Sequence, residues 1–136
     1  MSEYVDGEWK TGMNKELLEA LSRAQAKVEN AKRGTENPHF KKTYADLATV
    51  WDTIREPLTS EGLSVVQLPC EAPVGQVGLV TIIGHKSGQS LQEKFYLGLK
   101  DPSNPQCAGS CLTYMKRYAL MCVAGIAPED DDGNAS

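Results

Sequence analysis

The stretch Pro105–Pro128, PQCAGSCLTYMKRYALMCVAGIAP, constrains the fold of this chain more than any other. Proline is tolerated at the first helical position, where its missing N–H has no partner to lose, and glycine suits the left-handed residue that ends a helix. Pro105 therefore starts a predicted helix, and Gly125 with Pro128 stops it. At about 100° per residue, Cys107, Cys111, Tyr114, Met115, Tyr118 and Cys122 fall on one side. Gly109, Ser110, Thr113, Lys116 and Arg117 gather on the other. Small and hydroxyl residues beside two adjacent cations let a phosphate backbone approach closely. The same spacing also describes an amphipathic core helix with a solvated basic edge.

Upstream, residues 1–12 are polar, carry two glycines and have no period, so they read as a loose arm in which Tyr4 and Trp9 can dock elsewhere. Asn14 is a predicted cap. Met13, Leu17, Leu21, Ala24 and Val28 follow at helical spacing, Leu18 widens the stripe, and Gly34 closes the helix. Lys27, Lys32 and Arg33 suit its negative end. Thr43-x-x-Asp46 is a predicted capping box for a second helix with a stripe of Tyr44, Leu47, Trp51, Ile54 and Leu58. Pro57 is expected to end or kink it, and Gly62 to close the turn. Lys41 and Lys42 precede this helix, where side chains and free backbone N–H groups together can hold a phosphate. A solvated lysine pair reads the same way.

Three strands are predicted next: Leu63–Leu68, then Val77–His85 after a break at Pro69, Pro73 and Gly75, then Ser90–Lys100 after a Lys86–Gln89 hairpin turn. In the third, Leu91, Phe95, Leu97 and Leu99 mark a buried face with Glu93 as the exception. Gln92, Lys94, Tyr96, Gly98 and Lys100 mark an open one. A Lys94–Tyr96–Lys100 row can meet sugar and phosphate or be solvated. The order α-α-β-β-β-α predicts an α+β domain over residues 13–128, its small antiparallel sheet packed against helices. The acidic run Glu129–Asp132 lies in a short tail, 129–136, that can solubilise the chain, compete with a polyanion for the basic groove or bind Mg²⁺ weakly.

The net charge of −4 is unevenly spread. The ends are acidic, whereas residues 22–128 hold twelve cations against nine anions, which leaves a polyanionic partner open. No Gly-x4-Gly-Lys-Ser/Thr phosphate loop, compact carboxylate cluster or His/Cys/Ser constellation is present, so neither ATP-driven strand exchange nor a catalytic centre is expected. Cys107 and Cys111 stand one helical turn apart without a histidine nearby, and His39 and His85 are isolated. The four thiols are read as small buried hydrophobes, with no metal and no cofactor. No signal peptide, lipidation signal or membrane span is recognised, which predicts a cytoplasmic protein.

The run Gly109–Leu120, GSCLTYMKRYAL, followed by Gly125–Asn134, GIAPEDDDGN, resembles the signature of the Erf family of single-strand DNA annealing proteins, found mostly in phages and prophages. Asn37–Val65 and Thr81–Leu91 resemble the same family, so the likeness spans roughly residues 15–134. Members often carry a further C-terminal region, so this chain is expected to be a core piece. The resemblance implies ATP-independent binding and annealing of single-stranded DNA in recombination by a homo-oligomeric ring or filament. Lys41, Lys42, Lys86, Lys94, Lys100, Lys116 and Arg117 would then hold phosphates, with Thr113 beside them and Tyr96 able to stack. Tyr44 and Tyr114 lie on apolar stripes and are expected to pack. The alternatives are a double-stranded RNA binding module, which shares the α-β-β-β-α order, and an interaction scaffold without nucleic acid.

Overall fold

The computed structural model describes residues 4–5, 8–9, 14–34 and 46–127, with the backbone alone for 4–5, 8–9 and 29–34. The expectations for Met13, Thr43, Tyr44 and the acidic run lie outside the described residues. The fold is α+β, with two helices, three antiparallel strands and a last helix. Ahead of these, within the arm, β1 (Tyr4–Val5) pairs antiparallel with β2 (Glu8–Trp9).

Helix α1 (Lys15–Gly34) buries Leu17, Ala20, Ala24 and Val28, spaced three and four apart. Leu18 does not widen this stripe; it is 49% exposed. Its position lies about 100° round the helix from Leu17, away from the buried stripe. A tertiary contact caps the first turn, because the Leu17 N–H donates to Gln89 Oε1 at 3.0 Å. Gln89 sits in the hairpin turn between His85 and Ser90 and also bonds the Glu16 carboxylate, which holds that carboxyl below its ordinary range.

Helix α2 (Leu47–Ser60) begins one turn later than a box opened by Thr43 would have it. Asp46 is itself the N-cap, its carboxylate accepting from the Thr49 N–H at 2.8 Å. Val50, Ile54 and Leu58 are buried, with Leu47 and Trp51 packed beside them. Pro57 does not end the helix, which continues to Ser60. The proline stands in the last turn, where only the bond to the Thr53 carbonyl is forfeited. Gly62 then turns the chain with φ +75°.

The sheet has the order β3-β4-β5, with β3 spanning Leu63–Cys70, β4 Gln76–His85 and β5 Ser90–Gly98. Pro69 lies inside β3 rather than breaking it, opposite Leu79. Hydrogen bonding explains why. The His85 N–H donates to the Gln89 carbonyl, so odd residues of β4 bond β5 and even ones bond β3. Odd residues of β3 therefore turn their N–H groups to the outer edge, and a proline there costs no ladder bond.

Helix α3 (Pro105–Ala124) runs across one face of the sheet, capped by Asn104 on the Gln106 N–H and by Gly125 at φ 71°. It packs against β4, α2 and α1. Met115 is buried, as is Leu79 of β4. Leu120, Met121 and Ala124 join the core formed by α1, α2 and Leu63. Each such leucine or isoleucine contributes about 1.5–3 kcal/mol relative to exposure. Its C-terminal half packs against the sheet and against the other two helices, so α3 buries more than one side there. The stripe expected to be core is only partly so, since Tyr114 and Cys122 are exposed. The reading of the four thiols as buried is not met, since Cys122 is exposed and none of the others is fully buried. Cys70, Cys107 and Cys111 are half-buried, and burial raises the Cys111 thiol.

Candidate nucleic-acid interface

Alternation along the strands divides the candidate residues. The face under α3 carries the odd residues of β3 and β5, so Val65, Ile83 and Leu91 pack against the core. Gln67, on the same face, anchors the helix by donating to Thr81 Oγ1 at 3.2 Å and to the Lys116 carbonyl at 3.3 Å. The opposite face is open among the described residues. Across it run four cross-strand rows: Ser64–Gly84–Ser90, Val66–Ile82–Gln92, Leu68–Val80–Lys94 and Cys70–Gly78–Tyr96. Val66 and Leu68 are 46% and 49% exposed, and Tyr96 40%.

Lys94 and Tyr96 thus stand on the open face, as the alternation predicts. Lys100 follows β5 in an exposed loop, and Lys86 precedes it in the hairpin turn. The stem of Lys86 lies over Gly62, leaving no room for a Cβ there. These cations mark the two ends and the middle of one outer strand. The open face bears no carboxylate on any of its strand positions, so nothing on it repels a phosphate.

Thr113, Lys116 and Arg117 are on α3, across the sheet from Lys94 and Tyr96. Thr113 is exposed, with its hydroxyl donating to the Gly109 carbonyl at 3.1 Å. Lys116 and Arg117 are half-buried. The Arg117 guanidinium lies 5.6 Å from the ring centroids of both Tyr114 and Tyr118, which pack together at 4.5 Å. Tyr114 therefore packs, as expected, but against a cation at the surface. Glu93 accepts from the Lys94 N–H, and Asp101 from Ser103. Lys41 and Lys42 lie outside the described residues.

Lys27 proves not to serve the α1 terminus. It bonds Ser60 and Glu61, and Arg23 bonds the same Glu61 carboxylate at 2.7 Å. The two hydrogen bonds bring the Glu61 carboxyl down to about 2. These two cations join α1 to the α2–β3 turn.

The apolar strip Val66, Leu68, Val80 and Ile82 was missed by looking only for cations. A signal was available: β3 and β4 read apolar at even as well as odd positions, as strands covered on both faces do. Among the described residues no group of three or more His, Cys, Asp or Glu side chains comes together. Nor is any described helix long and apolar enough to cross a membrane.

A search of the curated proteins and one of the solved structures each found no match. The family model of the ERF superfamily matches residues 17–136, from the first buried leucine of α1 to the last residue. That match takes in α1 from Leu17 onward, the other two described helices and the whole three-stranded sheet, and the chain belongs to the ERF superfamily, whose members act in single-strand annealing during recombination.

Proposed function

We propose that the protein binds single-stranded DNA and anneals complementary strands without ATP, as an assembly of several copies. It does so in the bacterial cytoplasm on phage or prophage DNA. The observation that carries this reading is the carboxylate-free open face, where Tyr96 and Lys94 stand beside an apolar strip. An unstacked base has an apolar ring face, and its phosphate needs a cation within a few ångströms. A duplex hides its base faces, so a surface of this kind favours a single strand. Lys86 and Lys100 at the ends of β5 extend the path. Lys41, Lys42, Thr113, Lys116 and Arg117 supply further backbone contacts that hold phosphates and leave base edges free for a second strand. Assembly is supported by the outer edge of β3, where the ladder leaves the N–H and C=O groups of Val65 and Gln67 pointing away from β4.

The test is binding of single-stranded DNA, duplex DNA and duplex RNA at two salt concentrations, with annealing of complementary oligonucleotides followed without nucleotide. Single-stranded DNA should bind tightest. If about four phosphates are neutralised, log affinity should fall with log salt at a slope of about −3. A preference for duplex RNA, or affinity indifferent to salt, overturns the reading. Light scattering with and without DNA tests the assembly, which a strict monomer in both states rules out.

A further inference from the structure

A second surface has different chemistry. Between α3 and the outer edge of β5 lies a groove of about 480 Å³. Leu91, Phe95, Tyr118 and Val123 give it apolar walls, and Thr81 and Glu93 are the polar side chains from the sheet beneath α3. Gln92 and Lys94 line it as well, although their side chains belong to the open face. The groove therefore opens along the strand edge. On that edge the backbone groups of Gln92 and Lys94 point away from β4, since the odd residues of β5 make the ladder bonds. Glu93 bends to accept the outward Lys94 N–H at 3.0 Å.

A strand added here must displace the Glu93 carboxylate from that N–H and enclose it. Only an incoming cation directly opposite compensates the carboxylate. Neither outer strand of the described three-stranded sheet supplies one. On the relevant face β3 offers Leu63, Val65, Gln67 and Pro69, and β5 offers Leu91, Glu93, Phe95 and Leu97. Pairing of this sheet with its own copies through β5 is therefore disfavoured. We propose that the β5 edge and its groove receive an extended peptide from another protein by strand addition. Its groove-facing residues alternate as apolar, Lys or Arg, apolar, set opposite Phe95, Glu93 and Leu91 in antiparallel pairing. The carboxylate that selects the cation also turns phosphate away, so the groove borders the DNA path at Lys94 without belonging to it.

The experiment uses the full chain and the labelled peptide Ser-Val-Thr-Lys-Thr-Val-Ser, with a twin carrying glutamate in place of lysine. The lysine peptide should bind about tenfold more tightly, the difference between an attractive and a repulsive cross-strand pair. It should also slow hydrogen exchange at the Gln92 and Lys94 amides. Glu93→Lys should reverse the preference, and Cys122→Trp, which fills the groove from an exposed position, should abolish binding of either peptide. Glu93→Gln should leave single-stranded DNA affinity unchanged, so failure here is distinguishable from failure of the DNA reading. Three results overturn the proposal: binding of neither peptide, equal binding of both, or self-association of the chain that the lysine peptide dissolves, since a second copy would then be the occupant.

Discussion

The ring of Tyr96 lies directly over Gly78, its partner across the β4–β5 pair. A Cβ on Gly78 would come within 3.0 Å of the ring and 2.9 Å of Cys70 Sγ. A glycine in the central strand leaves a gap in the sheet surface, and the aromatic ring fills it. The same contact limits the directions in which the ring can face.

Gly78→Val should therefore act at two levels. Tyr96 and Cys70 must both shift, at a cost of about 1–3 kcal/mol. Thermal unfolding measures this loss. If Tyr96 stacks a base, single-strand affinity should fall in the folded variant too, by more than in Tyr96→Phe, which keeps the ring and the glycine.

The pair Lys116→Ala plus Arg117→Ala should weaken single-strand binding and annealing, and flatten the salt slope by roughly 1 to 1.5 units. Because Arg117 stacks beside Tyr114 and Tyr118, a stability loss of up to about 1 kcal/mol accompanies it. Lys27→Ala, which removes a cation held by Glu61, is the control and should scarcely change DNA affinity. Equal binding by the two variants would remove α3 from the DNA path.

Acid should loosen the attachment of α1 to the α2–β3 turn. The Glu61 carboxyl falls from an ordinary value of 4.5 to about 2 through its bonds to Arg23 and Lys27. Its folded-state value lies below the unfolded one, so the stabilisation is fully present above pH 4.5 and is lost as pH falls towards 2. Melting temperature followed across that window should drop less steeply in Glu61→Gln than in the parent. Glu16, also lowered, should leave some dependence in the variant.

Gln89→Ala should remove the cap that the hairpin turn lends to α1. Losing an N-cap acceptor costs about 1 kcal/mol. The effect should concentrate in the first turn of α1, where amide exchange at Leu17 speeds up while the amides of β4 remain protected.

Much of this fold was legible in local chemistry. Pro105 and Gly125 bound α3 as the residues themselves require, and alternation along β5 assigned Lys94 and Tyr96 to the open face correctly. Those signals depend on backbone preferences and on side-chain period, which short stretches carry by themselves. Long-range pairing decided the rest. The Gln89 cap of α1 joins residues far apart in sequence, which no local pattern can reveal. Pro69 is harmless because β3 is an outer strand whose odd N–H groups face away from β4. The Tyr114–Tyr118–Cys122 side of α3 is apolar by period. Yet α3 packs against the sheet with one part of its surface and against α1 and α2 with another, so part of that stripe becomes the wall of a groove instead of core. Likewise, the cations of β5 and α3 look alike in sequence, and only the sheet between them sets Lys94 and Lys116 on different surfaces. Period tells which residues share a face. Which face meets which neighbour follows from strand order and helix packing, both settled by contacts distant along the chain.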